Sequence, residues 1–275
     1  MAKPVLALPD VDCSGFLCPR EGRELFNADI YIAAIARSGS TLLCDLMTFP
    51  TGNICLIEPR FYAGMRAERS QFQLKAAGFD IPDERWKALE SKTKASYMER
   101  YTELIAPVLR QCTRWGVKEV RAELHRPTIE TINPAKILVL VRNARDVAVR
   151  LCQKILQSGG SPADAAQFVE GYLSRNCACL VEYADSANTI VARYEDFARS
   201  ETELRNLAVA LDWPFEGIPN QSFERLGRSV EAERHTGTVT SARRHDLRSL
   251  PPELFSVIEK SLPDCELYQQ RFGYS

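Results

Sequence analysis

The chain has 275 residues, of which 35 are Lys or Arg and 36 are Asp or Glu, so its formal net charge is −1 at pH 7. This length is sufficient for one α/β domain with a sizeable core, and we interpret residues 1–275 as a single domain that includes an N-terminal extension over 1–28. Because the charges balance, any anion site must be a local cluster, and a nucleic-acid-binding surface is not indicated.

The N-terminal sequence, the hydropathy and the cysteine pattern all indicate a reducing, non-membrane compartment. The N-terminus lacks the apolar length of a signal peptide, and no window approaches a transmembrane span. The nine cysteines lie mostly inside apolar runs, as free thiols do in a reducing compartment. Cys177 and Cys179 lie in a predicted helix, where a C-x-C pair without a second pair is more often core than a metal site. We therefore expect a soluble, cytoplasmic protein.

Five short runs rich in Val, Ile and Leu alternate with helical patterns along the chain. They span 29–36, 54–58, 116–120, 135–142 and 188–194. Runs that are apolar on both faces belong to a sheet that is covered on both sides, which means parallel strands joined by crossover helices. The predicted fold class is therefore α/β, with a central parallel sheet flanked by helices.

Helical spacing of apolar residues fills the intervals between these runs. It predicts helices over 83–112, 163–184, 201–211, 252–261 and 265–272. We interpret 60–115 as a helical segment on the acceptor side of the site. The stretch 215–250 is polar and has no clear period, and segments of that length in compact domains are usually functional. We interpret it as a loop or lid.

The turn Arg37-Ser38-Gly39-Ser40-Thr41 follows the first apolar run and leads into an apolar helix. Unpaired amides and the helix dipole make such a turn an anion cradle, to which the three hydroxyls add donors and at which Gly39 lets the backbone approach an oxyanion. A Walker loop would have lysine where Ser40 stands, so the strong cation of this loop is Arg37 instead. A guanidinium there could meet the bridging oxygen between two acid groups, although capping or pairing with a carboxylate is the alternative.

A second strand-to-helix junction reads "VRNARDVAVR" and carries Arg142, Arg145 and Arg150. Arg142 leaves a buried strand at its carboxyl end, where the ligands of open α/β sheets bind. Arg142 and Arg150 straddle the helix start, so both could reach one anion. A surface helix rich in arginine is the alternative interpretation.

The two junctions together resemble the paired signatures of sulfotransferases that use 3′-phosphoadenosine-5′-phosphosulfate (PAPS). "RSGSTLLCDLM" is similar to bacterial members such as the trehalose 2-sulfotransferase-like group, "WGVKEVR" resembles "G-x-K-D-P-R", and "RYEDF" resembles "R-Y-E-D-L". The C-terminal "RFGY" is similar to a common family ending. The resemblance covers 29–275 and implies a P-loop-like sulfotransferase fold, PAPS as co-substrate, 3′,5′-bisphosphate (PAP) as product, and no metal.

The resemblance also implies roles for the matched residues. Arg37 takes the place of the cation that contacts the bridging oxygen, and Ser38, Gly39, Ser40 and Thr41 form the 5′-phosphate cradle. Arg142 matches the arginine that binds the 3′-phosphate. The family usually has serine where Arg150 stands, so either a charged contact replaces the serine contact or Arg150 points elsewhere.

Three further residues join the cofactor-binding set. Tyr194 belongs to the "RYEDF" match. Arg243 and Arg244, in "HTGTVTSARRHDL", are similar to the late basic loop that closes over the 3′-phosphate in the family. The family's "R-K-G" wording is absent there, and a solvated basic loop is the alternative.

Sulfate transfer to an alcohol needs a base on the acceptor hydroxyl. Glu58 ends the run 54–58 and should emerge beside Arg37, and in several branches of the family a Glu at this place is the base. The alternative for Glu58 is an ordinary salt bridge with Arg60. Lys118, in "GVKEV", is expected to orient the sulfate or the acceptor.

His125, in "RAELHRP", is the second candidate base, because the animal cytosolic branch of the family uses a later histidine. Its alternative is a polar surface turn before Pro127. Between the two candidates we favour Glu58.

The sequence thus predicts a sulfotransferase that moves the sulfuryl group of PAPS to a hydroxyl or amine of a small-molecule, carbohydrate or lipid acceptor. A divergent P-loop kinase or NTPase is the alternative, disfavoured by the missing Walker lysine and by the lack of an acidic strand end for magnesium. A non-catalytic sensor of PAPS or PAP is the third reading. A homo-oligomer is left open.

Overall fold

The computed structural model describes residues 27–48, 52–60, 67–76, 78–79, 81–87, 104–109, 111–198, 200–215 and 247–274. Nearly all of the predicted N-terminal extension and much of segment 60–115 therefore lie outside the described residues. The same holds for 216–246, the larger part of the predicted lid, which contains Arg243 and Arg244.

Five strands form one sheet, and they are β1 (Ile30–Ala34), β2 (Asn53–Ile57), β3 (Arg114–Glu119), β4 (Lys136–Val141) and β5 (Thr189–Arg193). Their order is β2-β3-β1-β4-β5, and every neighbouring pair is parallel. Each strand coincides with a predicted apolar run, so the predicted fold class is confirmed. Because the strands are parallel, their carboxyl ends share one edge of the sheet, and the loops of the candidate site leave from it.

Ten α-helices have bounds within the described part of the chain: α1 (Ser40–Met47), α2 (Ala67–Ala76), α3 (Asp83–Lys87), α4 (Ala122–Ile132), α5 (Ala144–Gln157), α6 (Pro162–Ala184), α7 (Tyr194–Phe197), α8 (Glu201–Leu211), α9 (Pro252–Ser261) and α10 (Glu266–Arg271). Residues 104–109 are also helical. Short 3-10 turns occupy Leu247–Ser249 and Pro263–Cys265.

Helices α6, α8, α9 and α10 match their predicted spans closely. The predicted helix over 83–112 appears as α3 and 104–109, with 88–103 outside the described residues, and 111–113 are not helical. The run 188–194 had predicted that β5 includes Tyr194. In the structure β5 ends at Arg193, and Tyr194 begins α7. Glu195 and Asp196 lie in the first turn of that helix, where acidic side chains are favourable.

Side chains alternate between the two faces of the sheet and are covered on both. Tyr31 and Ala33 on β1 belong to one buried cluster, which also contains residues of α6 such as Leu173. Ile32 and Ala34 belong to a second cluster, which contains residues of α1 and α8. A period of two with both sets buried is the arrangement expected of a parallel sheet between helical layers.

The open side of the edge strand β2 is paired by a side chain. The backbone N–H of Ile57 donates to Oε1 of Gln73 at 2.8 Å, and Nε2 of Gln73 donates to the carbonyl of Cys55 at 3.1 Å. Gln73 lies on α2 and is fully buried. The Gln73 amide therefore makes the hydrogen bonds that a further strand would make, and it holds the end of β2 just before the loop that carries Glu58.

The seven cysteines of the described residues are all free thiols, in agreement with the expectation from their apolar surroundings. The Sγ atoms of Cys44 and Cys55 lie 3.4 Å apart in the core between α1 and β2. Among the helices of the described part, none is long and apolar enough to cross a membrane.

Candidate active site

The loop between β1 and α1 has the conformation of an anion cradle. Arg37 has φ 72° and Gly39 has φ 87°, and α1 begins at Ser40 after Gly39, which as its N-cap residue makes no side-chain cap bond. The hydroxyl of Ser38 is buried and has no hydrogen-bond partner among the described residues. A helix start without a side-chain bond from its N-cap residue, next to a buried unpaired hydroxyl, fits an oxyanion.

Two features require glycine at residue 39: its positive φ and the close approach of the Tyr194 ring. A Cβ atom at this position would lie 2.3 Å from Cδ2 and 2.5 Å from Cε2 of Tyr194. The space that a side chain would fill is therefore occupied by the Tyr194 ring, and the approach of the Gly39 backbone to an oxyanion stays a prediction. The loop can adopt this shape only with glycine at residue 39.

Arg142 brings the second junction against the first. Its Nη1 donates to the backbone carbonyl of Arg37 at 2.9 Å, and its guanidinium carbon lies 4.4 Å from the centre of the Tyr194 ring. A cation at this distance from an aromatic face is attracted by the ring. Tyr194 is thus in contact with both junctions, and its role in cofactor binding stays a prediction.

The backbone of Arg142 is held by the C-terminal helix. The Tyr268 hydroxyl accepts from the N–H of Arg142 at 3.0 Å and donates to its carbonyl at 2.8 Å. Both residues are buried, and burial raises the pKa of Tyr268 well above its usual value. Sequence reasoning did not select Tyr268, because an aromatic residue at helical spacing is indistinguishable from ordinary core.

Glu58 lies in the loop after β2 and is held by Lys118. Nζ of Lys118 donates to Oε1 of Glu58 at 2.7 Å, and Nη2 of Arg60 lies 3.6 Å from the other carboxylate oxygen. The Lys118 side chain is 1% exposed and that of Glu58 is 12% exposed. The salt bridge with Arg60 that was the alternative for Glu58 is therefore present, together with a closer contact to Lys118.

Two more carboxyl groups are buried around Lys118. Burial raises the pKa of Asp45 on α1 to about 8, against the opposing influence of Lys118. Burial, followed by the charge of Glu58, raises the pKa of Glu119 to about 7, whereas the Arg60 amide acts in the opposite direction. Perturbed carboxyl groups of this kind concentrate at functional sites, although structural networks also produce them.

No family model and no curated protein matches the chain. Among solved structures, the sulfotransferase domain from the curacin biosynthetic pathway has a TM-score of 0.61 and 18% identity, over 92% of this chain and 99% of that domain. The chain has the sulfotransferase fold. The sulfotransferase domain of the olefin synthase from Synechococcus PCC 7002 agrees, with a TM-score of 0.53 and 16% identity over 94% of this chain and 98% of that one. At these identities the likeness is one of fold.

Within the sulfotransferase fold, three sequence motifs of the chain meet at the second junction. The N–H of Asn143 donates to Oε1 of Glu195 at 2.9 Å, and the Tyr274 hydroxyl donates to Oε2 at 2.7 Å. Asn143 also caps α5 by accepting from the amides of Arg145 and Asp146. Glu195 of the "RYEDF" motif and Tyr274 of the "RFGY" motif thus hold the loop that carries Arg142. Both motifs stand out in the sequence, so they were the signal from which this contact could have been expected.

Arg150 lies further along α5 and is half-buried. Its Nη1 donates to Oε1 of Gln153 at 3.2 Å, and Gln153 in turn donates to the Ser249 hydroxyl at 2.8 Å. Arg150 is therefore linked through Gln153 to Ser249, which lies in the described C-terminal part of the predicted lid 215–250. Its contact with a 3′-phosphate stays a prediction.

His125 is inside the protein and not in a surface turn. It lies on α4, which continues through Pro127, and the His125 side chain is fully buried. Its Nδ1 is 2.6 Å from the Tyr31 hydroxyl, and burial lowers the pKa of His125 to about 3. A ring with no exposed edge cannot meet an acceptor hydroxyl, so this geometry favours Glu58 as the base.

Tyr172, which sequence reasoning missed, joins the ends of β1 and β3. Its hydroxyl accepts from the N–H of Ala36 at 2.9 Å and donates to the carbonyl of Val120. One turn later on α6, Oδ1 of Asn176 accepts from the N–H of Ala122 at 2.9 Å. These contacts fix the exit of the strand that leads to Arg37 against the exit of the strand that carries Lys118.

Proposed function

We propose that this protein is a PAPS-dependent sulfotransferase. The observation that carries the proposal is the contact between the two junctions, in which the Arg142 side chain is hydrogen-bonded to the Arg37 carbonyl at 2.9 Å. Two adjacent cationic loops at one edge of a sulfotransferase-fold sheet suit a nucleotide that carries anionic groups on two positions of its ribose. PAPS has such a pair in its 5′-phosphosulfate and its 3′-phosphate.

The proposal assigns the cradle to the 5′-phosphosulfate and the second junction to the 3′-phosphate. Ser38, Gly39, Ser40 and Thr41 would hold the 5′-phosphate through amides and hydroxyls. Arg142, together with Arg150 and with Arg243 and Arg244 from outside the described residues, would hold the 3′-phosphate. Tyr194 lies against Gly39 of the cradle and Arg142 of the second junction, and the proposal places its ring beside the nucleotide between the two phosphates.

In the proposed reaction the acceptor oxygen or nitrogen forms a bond to sulfur while the bond between sulfur and the bridging oxygen breaks. Glu58 takes the proton of the acceptor, and the electron pair of the broken bond leaves on the 5′-phosphate of PAP. Arg37 stabilises this developing charge, and Lys118 holds the Glu58 carboxylate in place. The acceptor would be a small molecule, a carbohydrate or a lipid.

Two measurements test the proposal. PAP should bind in the presence of EDTA, measured by calorimetry, and incubation with PAPS that carries radioactive sulfur should label at least one member of a panel of sugars, phenols, amines and lipids. PAP binding without transfer to any acceptor would favour the sensor reading. Magnesium-dependent ATP hydrolysis without PAP binding would favour the kinase or NTPase reading and overturn the proposal.

A further inference from the structure

The turn that carries Glu58 has an unusual backbone. Glu58 has φ 48° and Arg60 has φ 51°, and only Pro59 separates them. Residues with a side chain rarely adopt positive φ, because Cβ then approaches backbone atoms. Two such residues in one turn persist only where the surrounding structure holds them.

Two adjacent residues of β3 hold this turn. The N–H of Glu58 donates to the carbonyl of Lys118 at 2.7 Å, and the N–H of Arg60 donates to Oε1 of Glu119 at 2.9 Å. The first contact continues the parallel ladder in which Ile57 pairs with Lys118. The second comes from a side chain and replaces the ladder where the turn leaves the sheet.

Burial of the Glu119 carboxyl group is unfavourable, and one of its two oxygens lacks a hydrogen bond that would offset the loss of hydration. Glu119 is fully buried, and its Oε2 has no hydrogen-bond partner among the described residues. The charged or titratable groups that act on it or feel its charge are Glu58, Arg60, Lys118 and Tyr31. An apolar side chain at this place would pack without desolvating a carboxyl group.

We propose that Glu119 is a positioning residue, which fixes the Glu58-Pro59-Arg60 turn through the Arg60 amide and so directs the Glu58 carboxylate toward the acceptor. This inference rests on the proposed function for its catalytic consequence. The hydrogen bond itself needs only an oxygen at the position of Oε1. Glutamine offers that oxygen and alanine does not, so the pair Glu119→Gln and Glu119→Ala isolates the contact.

The first measurement is independent of activity. Hydrogen exchange of the Arg60 amide, followed residue by residue in NMR spectra, should be about tenfold faster in Glu119→Ala, the factor that corresponds to about 1.4 kcal/mol. In Glu119→Gln it should stay close to the native rate. Exchange of the Val139 amide in β4 should be unchanged in both.

The second measurement separates positioning from general stability. Glu119→Ala should lower kcat by about 10–100-fold, because a misplaced catalytic group loses its near-attack geometry, while the affinity for PAP stays native. Glu119→Gln should recover most of kcat. Val117→Ala removes a fully buried side chain two residues earlier on the same strand and face, and it should lower the melting temperature while leaving kcat near the native value.

Each outcome decides the question. Native exchange of the Arg60 amide in Glu119→Ala would overturn the proposal, and so would a Glu119→Gln enzyme as slow as Glu119→Ala. A loss of kcat in Val117→Ala as large as that in Glu119→Ala would also overturn it. If the native protein transfers no sulfate, the proposed function fails, whereas the exchange data still show whether Glu119 holds the turn.

Discussion

The side chain of Arg142 donates to the backbone carbonyl of Arg37 at 2.9 Å, so the loop after β1 and the loop after β4 are in direct contact. The bond uses one guanidinium nitrogen, and the Tyr194 ring lies against the same guanidinium. Because the backbone of Arg142 is held in turn by Tyr268, the C-terminal helix α10 is linked to the cradle after β1. A change in any of these contacts should therefore affect nucleotide binding at both loops.

Replacing Glu58 by Gln tests the assignment of the base. The amide cannot accept the proton of the acceptor, so kcat should fall by about 10²–10⁴-fold. The affinity for PAP, measured by calorimetry, should stay native, since the proposal assigns PAP binding to other residues and the contacts of Glu58 with Lys118 and Arg60 can be kept in part by the glutamine oxygen.

The matched control for this variant is Glu170→Gln, which changes an exposed carboxylate on α6 in the same way. It should leave both kcat and PAP binding unchanged. Turnover by Glu58→Gln within a few-fold of the native rate would reject Glu58 as the base.

Replacing Gly39 by Ala should abolish PAP binding and destabilise the protein. Alanine at φ 87° costs about 1–2 kcal/mol in backbone strain, and its Cβ would overlap Tyr194 at 2.3 Å. Gly159→Ala is the matched control, because Gly159 has φ 85° with nothing within 4 Å of the added Cβ. Equal losses of unfolding free energy in the two variants would show that the Tyr194 ring moves aside without cost.

The sheet could be predicted from the sequence because its strands are apolar on both faces. That pattern is local, and it also located Arg37, Glu58 and Arg142 at strand ends that a parallel sheet must bring to one edge. The contacts among these residues are not local. Arg142 is 105 residues from Arg37 in the chain, and no pattern indicated that its guanidinium would bind the Arg37 carbonyl.

Two errors of the sequence interpretation, the surface position considered for His125 and the omission of Glu119, have physical reasons. His125 was compared with a surface turn because Pro127 follows it closely, but α4 accommodates Pro127 and turns His125 toward Tyr31. Glu119 was not selected because it adjoins Lys118 on β3. Neighbouring residues of a strand point to opposite faces, so a contact of Lys118 with the Glu58 turn gives no reason to expect that the Glu119 side chain meets the same turn through the Arg60 amide.

Replacing Tyr268 by Phe should weaken PAP binding and lower stability. The hydroxyl is the partner of both the N–H and the carbonyl of Arg142, and a buried backbone group left unpaired costs about 1–3 kcal/mol. Tyr274→Phe is the comparison, since that hydroxyl contacts Glu195 and not Arg142. Calorimetric titration with PAP should give a larger loss of affinity for Tyr268→Phe, and equal losses would contradict a specific role of Tyr268 in holding Arg142.

Protonation of His125 should oppose folding in acid. Burial lowers the pKa of His125 to about 3, whereas an unfolded histidine titrates near 6.5. Between these values the unfolded chain binds more protons than the folded one, so the contribution of His125 to stability is complete above about pH 6.5 and is lost as the pH falls toward 3.

An NMR titration checks this prediction for His125 directly. The imidazole signals of His125, assigned by comparison with His125→Gln, should not move between pH 8 and pH 4. The variant should retain kcat to within a few-fold once its lower stability is allowed for, because a fully buried ring takes no proton from an acceptor. Titration of His125 near pH 6.5, or a loss of kcat as large as that of Glu58→Gln, would return His125 to the position of candidate base.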